Sequence, residues 1–165
     1  MKPEAVKMTI RFLIPGRCRE KYLLAAYDEY VKRISRFAKV RIEYLTEENL
    51  SSKPSKTEIE KALDNEASRV LRQLKEGDVL FLSDIHAPLV STSELSTAIK
   101  EKSQKSGNLV FLLGSSYGLG DILRRRADFS FSLSNLTFTH YEALYLIIEQ
   151  VYRCLKINSG ETYDK

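Results

Sequence analysis

The sequence predicts an α/β fold, a mainly parallel sheet flanked by helices, on three observations. Short apolar runs alternate with amphipathic stretches, the rhythm of successive βαβ units. Two of the runs, DVLFLS at 78–83 and LVFLL at 109–113, are apolar without alternation, as strands covered on both faces are. The second leads directly into a glycine turn, Gly114 to Gly120, and ligands of open α/β sheets gather at such strand ends. A chain of 165 residues with 43% hydrophobic and 29% charged residues has the balance of one ordinary domain. At about 150 residues roughly 68 to 70% of the unfolded surface is buried on folding, so no disulfide or metal staple is required.

Taken in order, Met8 to Ile14 is apolar and β-branched, a first strand closed by Pro15-Gly16. Arg19 to Phe37 carries Tyr22, Leu23, Ala26, Tyr30, Ile34 and Phe37 at helical spacing. Val40 to Leu45 alternates as a strand does, and the polar stretch Glu47 to Ser55, with Pro54, is a loop. Lys56 to Leu74 sets Ile59, Leu63, Ala67, Val70, Leu71 and Leu74 on one helical face, and Gly77 stops it. The strand at 78–83 precedes Ala87-Pro88, which breaks the chain. A third helix, Thr92 to Ser103, opens on Ser91-Thr-Ser-Glu94, the spacing of a capping box. The strand at 109–113 follows, with a helix opening at about Leu119. Phe129 starts a short alternating segment, then comes a Ser/Asn/Thr loop, then a long helix from near His140. That last helix, Tyr141 to Ile157, is apolar almost all round, which predicts that another chain covers one face. There is no internal repeat, low-complexity tract or linker.

Cys18 and Cys154 lie far apart without CxxC or matching histidine spacing, which points to reduced thiols in the cytoplasm and no metal site. No run approaches the roughly 20 apolar residues of a membrane span, and 1–8 has no signal-peptide core. The net charge of +4 and sequence pI near 9.0 are compatible with nucleic-acid binding and equally with its absence.

Gly114-Ser115-Ser116-Tyr117-Gly118 matches G-x-S-x-G, a nucleophile elbow, and Asp128 and His140 follow in hydrolase order. Against a serine hydrolase using Ser116, only a dozen residues separate the acid from the histidine. A dinucleotide or P-loop motif is absent. Arg124-Arg125-Arg126 reads as a solvated helix face, or as a phosphate site if the pocket lies beside it.

The series LLGSSYG, FSLSNLTFTH and IIEQVYRCLKINSGETY resembles the SPOUT-superfamily enzymes that methylate N3 of a pseudouridine in large-subunit ribosomal RNA, the RlmH family. The resemblance runs from Met8 to Lys165 as a single SPOUT methyltransferase domain, leaving 1–7 as an N-terminal extension. It implies a SPOUT-type fold whose C-terminal part is threaded as a deep trefoil knot, and a homodimer formed through that region. It also implies S-adenosylmethionine as cofactor and 23S rRNA on the assembled ribosome as substrate. Carried over by position, cofactor contacts fall on Leu82, Gly114, and the loop Leu133, Ser134, Asn135, Leu136, Thr137 and Phe138. Catalytic or positioning roles fall on His140, Tyr163 and Asp164, and RNA contacts on Arg153 and Lys165.

The chain departs from the family pattern at Ser115 (a glycine there), Thr139 (a proline), Leu144 (an arginine) and the tail Tyr163-Asp164-Lys165 (Tyr-His followed by a basic residue). Two accommodations follow: Asp164 accepts the acceptor's proton, or the proton goes to water while His140 and Tyr163 position the base. Unchanged turnover in Asp164→Asn excludes the first. The tail substitutions also motivate a second reading, a SPOUT-like protein that binds RNA or cofactor without methyl transfer.

Overall fold

The computed structural model describes residues 8–163, so Asp164 and Lys165 lie outside the described residues. Five strands, β1 (Met8–Pro15), β2 (Ala38–Leu45), β3 (Val79–Ser83), β4 (Asn108–Leu113) and β5 (Phe129–Phe131), alternate with five helices. The helices are α1 (Lys21–Ile34), α2 (Lys56–Gln73), α3 (Thr92–Lys105), α4 (Asp121–Arg126) and α5 (His140–Asn158). All strands pair in parallel, in the order β2-β1-β4-β3-β5. Every carboxyl end therefore opens onto one edge.

Apolar character on both strand faces buries the sheet between two helix layers. Phe12, Phe81, Phe111 and Phe131 face α1, α3 and α5, with Phe81 and Phe111 stacked at 4.6 Å. Leu13, Leu80, Leu82, Val110 and Leu112 face Ala67 and Val70 of α2 and Leu123 of α4. Ser55, Ser91 and Thr139 cap α2, α3 and α5 by accepting the amides of Glu58, Glu94 and Glu142. The capping box expected at Ser91 is present. The fourth helix starts at Asp121 rather than near Leu119, because Gly118 to Gly120 is spent on the turn.

β1 holds a charge inside its apolar run. Arg11 is 5% exposed and donates to both Glu43 oxygens at 3.0 Å, to Asp78 Oδ2 at 3.2 Å and to the Gln73 carbonyl at 3.0 Å. The network ties β1, β2, the end of α2 and the start of β3. It costs little only while complete, since removing one partner leaves a buried charge uncompensated.

α5 explains its own composition. Leu144, Ile147, Ile148, Val151, Cys154 and Leu155 are buried in the core shared with α1 and α3. Most of the apolar circumference that suggested a partner chain is thus covered from within. Tyr145 and Leu146 remain half-buried.

Candidate functional site

The β4 end closes on itself. Ser115 and Gly118 exchange backbone hydrogen bonds at 3.1 and 2.9 Å, and Gly118 has φ +101°, a conformation that only glycine adopts cheaply. A Cβ on Gly114 would meet the Gly118 carbonyl oxygen at 2.7 Å and Leu119 Cγ at 2.9 Å. The glycines therefore serve the turn's own packing. The cleft beside them, lined by Pro15, Glu66, Gly114 and Ser115, has about 10 Å³ of space. Ser115, where the resemblance leads to the expectation of a glycine, sits without strain, since among the described residues no non-glycine has positive φ.

The β5–α5 connection is open instead. A cavity of about 290 Å³ lies between Leu133, Ser134 and Phe138 of this loop, Val90, Ser91, Thr92 and Leu95 at the start of α3, and Leu146 and Gln150 of α5. The backbone groups of Leu133, Asn135, Thr137 and Phe138 make no hydrogen bond to the described residues. Leu136 is 71% exposed. Of the eight positions assigned to the cofactor, Leu133, Ser134 and Phe138 line this cavity, Gly114 lines the narrow cleft, and Leu82 lies in the sheet core touching neither. Asn135, Leu136 and Thr137 sit at the exposed crest of the loop.

Asp84, one residue past β3, joins these turns. Its amide donates to the Phe131 carbonyl at 2.9 Å, while its carboxylate accepts from the His86 amide at 3.0 Å and from Arg124 Nε at 2.7 Å. Burial alone would raise this carboxyl, but the Arg124 and His86 donors hold it below the ordinary aspartate value. The arginine run therefore does not act as one solvated face: Arg124 is bound to Asp84 and Asp121, and Arg126 to Asp128 and the Asp78 carbonyl.

His140 begins α5 with Nε2 3.2 Å from the Pro15 carbonyl oxygen. A carbonyl only accepts, so Nε2 carries the proton and Nδ1 keeps its lone pair. Burial lowers the pKa of the ring, with Glu47 and the Pro15 carbonyl partly opposing it, so the imidazole is neutral near pH 7. It contacts neither member of the hydrolase constellation. Asp128 lies toward the opposite end of the sheet, accepting the Leu80 amide at 2.7 Å and Arg126 at 3.0 Å, and Ser116 lacks the strained backbone of an elbow. The serine-hydrolase reading fails on this geometry.

The tail lies elsewhere. Tyr163 packs edge-on against Tyr152 at 5.1 Å, with the Arg153 guanidinium 4.6 Å from its ring centroid. At 1.5 Å per helical residue this is roughly 18 Å along α5 from His140. Within one chain His140 and Tyr163 are not brought together. Leu144, at the position where the resemblance leads to the expectation of an arginine, is a fully buried core residue. Thr139, where the resemblance leads to the expectation of a proline, caps α5.

A family model described as "Predicted SPOUT methyltransferase" matches residues 8–164. The chain belongs to the SPOUT methyltransferase family. It is 38% identical over 156 residues to the ribosomal RNA large subunit methyltransferase H of Caldicellulosiruptor bescii, covering 94% of this chain and 99% of that one. The Acetivibrio thermocellus protein of the same name is 36% identical over 160 residues, 96% of this chain and 100% of that one. Among solved structures, the A. aeolicus TrmH/SpoU tRNA modifying enzyme superposes with a TM-score of 0.51 at 12% identity, covering 93% of this chain and 78% of that one, a likeness of fold.

In this SPOUT methyltransferase the sequence did not single out Asp84 or Glu47. The available signal was position: an acid immediately after a buried strand, and another in the loop that follows the second strand. Their partners, Arg124 and His140, are distant in sequence and visible only in the fold. Among the described residues no helix is long and apolar enough to cross a membrane.

Proposed function

We propose that this chain is a cytoplasmic homodimeric enzyme, knotted at its C-terminal part, that transfers a methyl group from S-adenosylmethionine to N3 of a pseudouridine in 23S rRNA on the assembled ribosome. The observation that carries the reading is near-full-length similarity to proteins named for large-subunit rRNA methylation, in a chain whose assigned loops gather at the carboxyl edge of the sheet. The exposed side chains of Ile85, Leu89, Leu136 and Phe138 on the neighbouring β3–α3 and β5–α5 loops support association at this edge.

The residues present fit the cofactor. Leu133, Phe138, Val90 and Leu95 offer apolar walls, and the unpaired loop backbone offers donors and acceptors for a purine edge, the usual make-up of a small-molecule site. When bound, the sulfonium supplies an already activated methyl group. The protein then has to align the acceptor, a contribution of several kcal/mol for well-held geometry, and to dispose of the N3 proton. His140 is suited to taking up that proton, because it is neutral, its tautomer is fixed by Pro15, and Glu47 favours the imidazolium that proton uptake creates. Tyr163 reaches such a centre from a partner subunit's tail, since its own chain holds it far along α5.

The test is transfer of labelled methyl to ribosomes with and without pseudouridine in their 23S rRNA. Label confined to pseudouridine-bearing rRNA is the expected result. Calorimetric cofactor binding without label favours the non-transferring reading that the tail substitutions motivate. Absence of both overturns the family activity here.

A further inference from the structure

The β1–α1 turn carries charge that the rest of the fold does not use. Among the described residues most arginines meet a carboxylate: Arg33 has Glu29, Arg41 has Glu43, Arg69 has Glu48 and Arg124 has Asp84. Arg17, Arg19 and Lys21 have no ion pair and are exposed. Arg72 and Arg125 share that freedom, but on α2 and α4 over the opposite sheet face. Holding three solvated cations within five residues costs self-repulsion that folding does not require.

The same turn exposes aromatic surface. Tyr22 is 63% exposed, and Tyr117, at the tip of the turn that ends the neighbouring strand β4, is 46% exposed. Arg17 lies 5.9 Å over the Tyr44 ring, which steadies the guanidinium while leaving its N–H edge to solvent. The turn also borders the candidate site: Pro15 lines the cleft with Gly114 and its carbonyl binds His140. Opposing charge is present at Glu20 within the turn, at Glu142, 3.4 Å from the Tyr22 hydroxyl, and at Glu47 behind Gly16.

We infer that residues 16–22, with Tyr117, form a surface on which a single-stranded stretch of the substrate RNA docks: Arg17, Arg19 and Lys21 hold phosphates, and Tyr22 and Tyr117 stack bases. Unpaired cations interleaved with exposed aromatic rings match the two components of single-strand recognition, backbone charge and base faces. This rests on the rRNA reading above and places recognition in the first β–α turn rather than only in Arg153 and the tail.

The experiment compares Arg17→Ala/Arg19→Ala with a control, Lys100→Ala/Lys105→Ala, which removes equal charge from α3 and its far end. The expected result is a rise of about 10-fold in the KM for ribosomes, with a salt dependence shallower by about 1.4 log units per log unit of salt, for two lost contacts to a single strand. The kcat at saturating ribosomes and the calorimetric affinity for S-adenosylmethionine stay unchanged. Tyr22→Ala raises KM as well, and Tyr22→Phe, which keeps the ring, restores it. An unchanged KM and salt slope, or an equal effect in the control, overturns the inference. Should the unaltered protein transfer no methyl, co-sedimentation with ribosomes over the same salt series reads the surface alone. Binding lost in the double variant sustains the surface; binding retained, or absent from the unaltered protein, overturns it.

Discussion

The glycine turn and the β5–α5 loop stand at the carboxyl ends of two strands in one sheet, separated by β3, and they solve opposite problems. The turn satisfies its own backbone and leaves about 10 Å³ beside it, whereas the loop leaves four residues' backbone groups open above about 290 Å³. The louder motif is therefore a brace, and the quieter Ser/Asn/Thr stretch is the one that keeps backbone groups open beside a cavity.

Gly114 is the position where the two turns differ most in what one added methyl group does. A methyl group there has to displace backbone at 2.7 Å, so Gly114→Ala is expected to lose about 2 kcal/mol of stability by overpacking. Cofactor affinity falls with it, and thermal denaturation with calorimetry reads both. An unchanged melting temperature ends the brace interpretation.

Next in size is His140. His140→Gln is expected to lower kcat about 100-fold, the lower bound for a positioned acid–base group. Burial depresses the folded pKa below the unfolded value of about 6.5. The neutral ring thus contributes stability above that unfolded value, and the contribution is lost as pH falls through the lower folded value. The wild-type rate is expected to be flat above pH 7 and to decline on the acid side. Persistence of that acid limb in His140→Gln removes the ring as the base.

Asp84→Asn keeps the shape of the junction and removes its charge from Arg124. A loss of about 1 kcal/mol is expected for the weakened hydrogen bond, with several-fold weaker cofactor binding by calorimetry. Wild-type affinity means the two turns hold their places without Asp84. Ser116→Ala sits at the bottom of the scale, with unchanged transfer and stability within about 0.5 kcal/mol. Any loss of turnover, or inhibition of the parent by a fluorophosphonate, revives a role for that hydroxyl.

Much of the fold was legible because both strand signals and helix caps are local. LVFLL and DVLFLS form central strands, and Ser91 with Glu94 forms the expected cap. Strand order was not legible, since pairing β1 with β4 is decided by which faces bury each other. Arg11 was hidden for a related reason: one charge in an apolar run looks like an interruption until Glu43 and Asp78 arrive from other elements. At the site, resemblance pointed to the loop of Leu133 to Phe138 and to His140, which the fold sets at the carboxyl edge of the sheet. The Asp84–Arg124 pair and the Pro15–His140 bond join residues 40 and 125 apart, and no local pattern records them.

The position of β1 between β2 and β4 also bears on how the chain is made. β2 follows after one helix, but β4 begins only at Asn108. At roughly 5 to 20 residues per second of synthesis, one edge of β1 stays unpaired for about 3 to 13 seconds after β2 has formed. Through that interval a nascent chain carries an open apolar strand, so its vulnerability to edge-to-edge association is set by translation speed between residues 45 and 108.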